Sequence, residues 1–267
     1  MKWTDEAQKL LSRVPFFVRG KVRERVEEAA ARCGAREVTP MHVDQCKKRF
    51  LSSMDQEVRG FRVETCFGPS GCPNRAVVSG DLPNDIEQEL SRRNLRAFLQ
   101  ERVKGPLKLH HELRVSISDC PNACSRPQIA DIGLIGACTP AVGPEPCSSC
   151  GACVEVCQEK ALSLQNGSPK IDRSKCVACG QCVKACPVGA LIVGSRGHRV
   201  LLGGKLGRHP RLAEEQPGIH RAEGILEILD NCLNLYHQNC LKGERFGEIL
   251  ERLSGQSGGV LSEEPSD

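Results

Sequence analysis

The runs C147-S-S-C150-G-A-C153-V-E-V-C157 and C176-V-A-C179-G-Q-C182-V-K-A-C186-P187 carry one spacing, C-x2-C-x2-C-x3-C, twice in close succession. Three thiolates at such short intervals converge on one centre only if the backbone wraps around it, so the fourth lies on the far side and reaches the neighbouring centre. The spacing therefore predicts one [4Fe-4S] cluster on Cys147, Cys150, Cys153 and Cys186, and a second on Cys176, Cys179, Cys182 and Cys157. Structural zinc is the competing reading. Zinc sites, however, usually space two C-x2-C pairs well apart, rather than placing four cysteines in so short a run. Gln158 stands where the second run has Pro187, a change that removes no ligand.

This stretch resembles the bacterial two-cluster ferredoxins. The resemblance covers only about a sixth of the chain, so it does not by itself name a function.

Working outward, 267 residues allow one large domain or two to three small ones. Aromatic residues make up only 3% while cysteines number 17, so part of the interior is expected to be cluster and cofactor. The formal charge of +4 ignores metal-bound thiolates; at roughly −2 per four-thiolate cluster, three clusters would turn the loaded protein slightly acidic. No basic stripe interleaved with aromatics points to nucleic acid. No apolar leader or membrane-length run is present, so a cytoplasmic protein without a membrane span is expected.

Thr4 and Asp5 can cap a helix that ends before Pro15. Val18, Val22, Val26, Ala29 and Cys33 then recur at helical spacing up to Gly34, and Thr39-Pro40 opens a third helix through Cys46. The wording W3-T-D-E-A and P15-F-F-V-R-G-K-V-R resembles the small helical domain of one subunit of the dark-operative protochlorophyllide reductases. No catalytic residue is carried over from it.

Residues 58 to 65 read as a strand leading into C66-F-G-P-S-G-C72. A helix is predicted over Asn84 to Val103, with Ile86, Leu90, Leu95, Phe98 and Leu99 facing a sheet. L113-R-V-S-I-S then alternates as a strand and ends in D119-C120-P-N-A-C124, followed by I129-A-D-I-G-L-I-G136. This combination looks like the sirohaem and [4Fe-4S] frame of the sulfite and nitrite reductases. The resemblance implies that Cys66, Cys72, Cys120 and Cys124 hold a third cubane, with Cys124 also bridging to the sirohaem iron. A zinc site or a lone cubane is the alternative.

After the linker Thr139 to Pro146 and the cysteine runs, the chain returns as the strand H198-R-V-L-L, so the ferredoxin stretch reads as an insertion. Dissimilatory-type and anaerobic sulfite reductase subunits look similar in this respect. The turn G203-G204-K205-L-G-R208-H209-P210 resembles that family's basic loop near the macrocycle, which implies Lys205, Arg208 and Arg211 as cations for the sirohaem carboxylates, and Lys205 and Arg208, with Cys124, as catalytic residues. A solvated basic turn is the plainer reading. Arg62, Arg75 and Arg114 could add cations. A last amphipathic helix spans 222 to 241, a shorter one lies near Phe246 to Leu253, and the tail beyond Ser254 is expected to be disordered. Cys33, Cys46, Cys138, Cys232 and Cys240 have no motif and are read as buried free thiols.

The expected fold is α+β. It comprises a sirohaem-reductase half domain, an inserted ferredoxin-like module with two [4Fe-4S] clusters, and an N-terminal small helical domain. The expected segments are 1–50 helical, 51–145 reductase, 146–190 module, 191–253 reductase and C-terminal helices, and 254–267 tail. The expected activity is multi-electron reduction of sulfite or nitrite with three [4Fe-4S] clusters and sirohaem, fed by an electron-donor protein. Full sirohaem reductases resemble a tandem of two halves and this chain has room for one, so a homo-oligomer or a partner subunit in a reductase complex is expected to complete the pocket. The alternatives are an iron-sulfur electron-transfer subunit without sirohaem, and a protein that stores or senses sirohaem.

Overall fold

Threonine caps explain where the first and third helices of the N-terminal segment begin. In the computed structural model, which describes residues 1–256, β1 (Lys2–Trp3) leads into α1 (Asp5–Ser12), where the Thr4 side chain accepts a hydrogen bond from the Ala7 N–H at 3.3 Å. α2 (Phe16–Arg32) follows, then β2 (Glu37–Val38), parallel to β1, and α3 (Pro40–Glu57). Thr39 and His42 form a reciprocal cap at the start of α3. α3 runs on to Glu57 instead of ending near Cys46, because no glycine or proline interrupts 41–59. Ala7, Val26, Ala30 and Val38 form the core, with Trp3, Val22, Val43 and Cys46 packed on it. Cys33 is exposed and Cys46 half-buried, against the expectation that both are buried. Residues 1–59 and 103–110 make up this compact unit; 60–102 and 111–256 belong to the second.

The second unit is built on a five-stranded sheet among the described residues. β3 (Phe61–Thr65) is followed by α4 (Leu82–Arg92) and α5 (Leu95–Arg102), then β4 (Leu113–Ser118) and β5 (Ile132–Val142). The predicted single helix over 84–103 is two helices: Asn94 takes a left-handed φ of 46°, a conformation asparagine tolerates, and breaks the run. α6 (Ala152–Glu155), β6 (Leu162–Gln165), β7 (Ser168–Ile171) and α7 (Gln181–Ala185) lie between β5 and β8 (Leu191–Leu202), and β9 (Glu214–Glu215), α8 (Ala222–Asn239) and α9 (Phe246–Gln256) complete the order. The sheet order is β3-β4-β5-β8-β9, with β3, β4 and β5 parallel and β8 antiparallel to β5. The expected tail lies, from residue 257 on, outside the described residues.

β5 and β8 pair from Ile132 opposite Leu202 to Val142 opposite Leu191, so residues 143–190 leave and return between two adjacent strands. The register slips at Thr139/Pro140, leaving Gly194 as an extra residue. Pro140 has no N–H for the ladder, and a bulge there costs no donor. β6 and β7 form a hairpin closed by Asn166-Gly167, both at positive φ, a pair of residues suited to that turn.

The α8 stripe buries Ile225, Leu229, Cys232, Leu233 and Tyr236. Tyr236 packs on Phe98 of α5 at 5.3 Å between ring centres and on Phe246 of α9 at 6.2 Å. The sheet-facing apolar residues of α4 thus lie against both β3 and α8. No helix among the described residues is long and apolar enough to cross a membrane.

Candidate iron-sulfur and cofactor site

β3 and β4 are parallel and in register, Thr65 opposite Ile117, so the residues that follow both strands emerge at the same edge of the sheet. Cys66 and Asp119-Cys120 are those residues. The Cys66 N–H donates to the Ile117 carbonyl at 3.0 Å, and the Cys66 Sγ accepts from the N–H groups of Gly68 at 3.2 Å and Asp119 at 3.3 Å. Two amide donors on one sulfur fix where Cys66 Sγ sits at the sheet edge.

The loop from Cys120 to Cys124 is shaped by Ala123 and Arg126, both at positive φ, and by serines. The Ser125 hydroxyl lies 2.7 Å from the Ser118 hydroxyl and donates to the Ile117 carbonyl at 2.8 Å, while the Ser116 hydroxyl donates to the Ser125 carbonyl at 2.7 Å. These bonds explain why the Ser116 and Ser118 side of β4, read as a polar alternation, is buried. Cys120 is buried and Cys124 exposed. Burial first, and then the neighbouring Cys124, Cys66 and Cys72, push the Cys120 pKa above the ordinary thiol range, against one opposing backbone N–H from Asn122. Cys124, Cys66 and Cys72 are thus each within electrostatic reach of Cys120.

The two runs of the looped-out segment wrap their sulfurs with the same backbone. Ser149 and Ala178 have φ of 54° and 57°, and the glycines two residues on, Gly151 and Gly180, have 79° and 71°. Cys153 is raised by burial first and then by Cys147 and Cys186, one residue from the first run and one from the second. Cys182 is pushed up to about 12 by burial and then by Cys179, Cys176 and Cys157. Cys153 and Cys182 thus each have sulfurs of both runs near them. Cys157, Cys176, Cys179 and Cys182 also line one hollow, with Pro140 and Ile171. At Cys186 burial raises the pKa, but the N–H groups of Leu191, Val188, Ala190 and Gly189 outweigh it and the net shift is downward. Among the described residues no three His, Cys, Asp or Glu are set as tightly as a single metal ion requires, so each set of thiols is a neighbourhood rather than a coordination sphere.

Residues 63–257 match the nitrite and sulphite reductase 4Fe-4S domain family. The chain belongs to that family. Residues 3–47 match a second family, the protochlorophyllide reductase 57 kD subunit. The chain is 33% identical over 190 residues to the coenzyme F420-dependent sulfite reductase of Methanocaldococcus jannaschii, a match that covers 70% of this chain and 28% of that protein. It is 40% identical over 70 residues to a subunit of the anaerobic sulfite reductase of Salmonella typhimurium, covering 25% of this chain and 20% of the relative. The chain therefore spans less than a third of the length of these two relatives. The crystal structure of dissimilatory sulfite reductase I aligns with a TM-score of 0.51 at 18% identity, over 78% of this chain and 55% of that one, a likeness of fold.

Within this nitrite and sulphite reductase domain, the predicted basic turn docks beside the cysteine loop. The Gly203 N–H donates to the Asp131 carbonyl and the Ala213 N–H to the Gln128 carbonyl, both at 2.8 Å, and Lys205 and Arg211 exchange backbone bonds at 2.9 Å, closing the loop between them. The side chains divide. The Lys205 ammonium is buried and donates to Glu248 at 2.9 Å; Arg211 donates to the Gly247 carbonyl at 2.9 Å and pairs with Glu214. Arg208 and His209 stand exposed on the tip. Arg62 and Arg114 share Glu64, at 3.6 and 3.0 Å, and the carbonyl of Arg75 accepts from Lys184 at 2.7 Å.

A polar group at the cysteine edge has no motif in the sequence to announce it. Asp119 is 1% exposed; its Oδ1 accepts from the Ser79 hydroxyl, which lies 3.2 Å from His198 Nε2, and its Oδ2 has no partner within the described residues. Burial lowers the His198 pKa against the pull of Asp119. A methyl at Gly68 would stand 2.3 Å from Asp119 Oδ2 and 2.5 Å from its Cβ. Gly68→Ala is therefore expected to displace Asp119 and loosen Cys66. Iron analysis of the anaerobic protein should then show loss from the Cys66 group while the looped-out runs keep theirs.

Proposed function

We propose that this chain is the sirohaem- and iron-sulfur-dependent part of an oxidoreductase that reduces sulfite, with nitrite as a second anion. The observation that carries the reading is the meeting of Cys66, Cys72, Cys120 and Cys124 at one sheet edge beside a second, eight-cysteine segment in the same unit. Sulfite is preferred because both curated relatives carry it in their names.

In this reading Cys66, Cys72, Cys120 and Cys124 hold one cubane. Cys147, Cys150, Cys153 and Cys186 hold a second, and Cys176, Cys179, Cys182 and Cys157 a third. Sirohaem, when bound, supplies the iron at which a small oxyanion takes up six electrons. The chain's part is to present and position. Cys124 is exposed where Cys120 is buried, so it would be the thiolate of the four open to a macrocycle. Arg208, on the tip of the adjoining turn, is placed to meet a carboxylate or the anion with its planar fork. Lys205 and Arg211, already paired to Glu248 and to Glu214 and Gly247, shape the turn and set its charge. Residues 143–190 form the inserted electron-relay module, and residues 1–59 with 103–110 a helical domain. In this reading a partner subunit or a second copy contributes to the pocket; one relative is itself a subunit of its reductase.

Anaerobically purified protein tests the reading. It is expected to hold about thirteen irons per chain, twelve in three cubanes and one in an extractable tetrapyrrole. With reduced dye it is expected to consume sulfite once its partner is present. About twelve irons without pigment would leave an electron-transfer subunit in its place, and pigment without turnover a sirohaem carrier.

A further inference from the structure

Cys138, read from sequence as a spare buried thiol, sits where the looped-out segment meets the cysteine edge of the sheet. It is 1% exposed and packs with Cys120 and Ala76 on one side. On the other, its N–H donates to the Ala178 carbonyl at 2.7 Å, and Cys138 forms a parallel bridge with Cys179. Gly180 makes the approach possible: a Cβ there would stand 2.8 Å from Cys138 Cβ and 2.9 Å from its Sγ. The Arg196 guanidinium donates to the Cys138 Sγ at 3.7 Å. Nearby, the Lys184 ammonium donates to the Arg75 carbonyl at 2.7 Å and reaches that of Pro73 at 3.4 Å, tying α7 to the segment after Cys72.

From this juxtaposition we infer that Cys138, with Arg196 over its sulfur, is the positioning residue of an electron junction between the Cys157/Cys176/Cys179/Cys182 cluster and the Cys66/Cys72/Cys120/Cys124 cluster. One electron leaves the first cluster, which is oxidised by one equivalent, and reduces the second by one; no bond breaks and no proton moves, and the reductant is an external one-electron donor. The junction rests on the cluster assignments proposed above, but not on sirohaem. Two routes converge on it: Cys179 is joined through Ala178 and its hydrogen bond to the Cys138 backbone, and the Cys138 side chain packs against Cys120. The cation holds the sulfur and raises the potential of the neighbouring clusters, since charge near a cluster is one of the levers on its potential. The Cys147/Cys150/Cys153/Cys186 cluster is then the one left to face a donor, in keeping with the exposure of Cys150.

The test uses the full-length, anaerobically loaded protein and a reduced viologen as donor, with freeze-quenched paramagnetic resonance to follow each cluster. In Cys138→Ala, iron content and reduction of the looped-out clusters are expected to match the parent, while the Cys120-bound cluster is reduced several-fold more slowly. Should Cys138→Ala lose iron, exposed Arg196→Gln decides alone; it is expected to slow the same step and to lower the midpoint potential of a cluster beside it. Parental rates and potentials in Arg196→Gln, or a parental rate in iron-replete Cys138→Ala, would overturn the junction. A parent protein with three clusters and no tetrapyrrole would sink the reductase reading while leaving this comparison intact.

Discussion

Cys124→Ser is expected to bring sulfite and nitrite reduction to background while the paramagnetic signals of the looped-out clusters persist. Cys124 is the exposed member of the four thiols at the sheet edge, and the loop that carries it is held by Ser125 through bonds to Ser118 and Ile117. Serine keeps the loop's shape but replaces a soft sulfur with a hard oxygen that binds iron poorly. The effect should exceed the roughly 10- to 100-fold seen for outer residues of metal sites, because the atom removed is a proposed ligand. Turnover with reduced dye, read beside the absorption of the proposed sirohaem, is the measurement. Parental turnover in this variant would remove Cys124 from the site.

The largest effect on stability is expected at Asp131. Its side chain is fully buried, accepts from Arg245 Nη2 at 2.7 Å and Nε at 3.2 Å, and takes the Arg114 N–H at 2.9 Å. The pair joins the start of β5 to β4 and to the residue before α9, and the Asp131 carbonyl receives Gly203 at the head of the basic turn. Asp131→Ala removes the buried carboxylate against which the Arg245 guanidinium lies, a change that costs about 3–5 kcal/mol when one member of such a pair is removed. Urea unfolding of parent and variant under the same anaerobic conditions should show it as a lower midpoint, little changed by added salt because the pair is shielded from solvent. A loss under about 1 kcal/mol would place the pair among ordinary surface contacts.

Much of the architecture was legible along the chain. Thr4, Thr39-Pro40 and the apolar stripe of α8 announce their helices through local capping and periodicity. The break at Asn94 was not legible, because asparagine is compatible with both a helix and a left-handed residue, and packing of Leu95, Phe98 and Leu99 chose between them. The Asn166-Gly167 turn is legible too, as an Asn-Gly pair between two short runs. Glu214 stands three residues from Arg211, but Glu248 and Gly247, the other partners of Lys205 and Arg211, were out of reach, since they lie some forty residues further on and nothing in the turn announces them.

The spacing of cysteines in the two runs, and their left-handed residues, are short-range properties: they turn each brief run on itself and gather its first three thiols, whatever the rest of the chain does. Tertiary structure alone decided that Cys66 meets Cys120, through the parallel pairing of β3 with β4. It also decided that Cys138 lies between two groups of thiols, and that Asp119, Ser79 and His198 come together beside them. Those contacts join residues far apart in sequence, so they exist only once strand order and register are set.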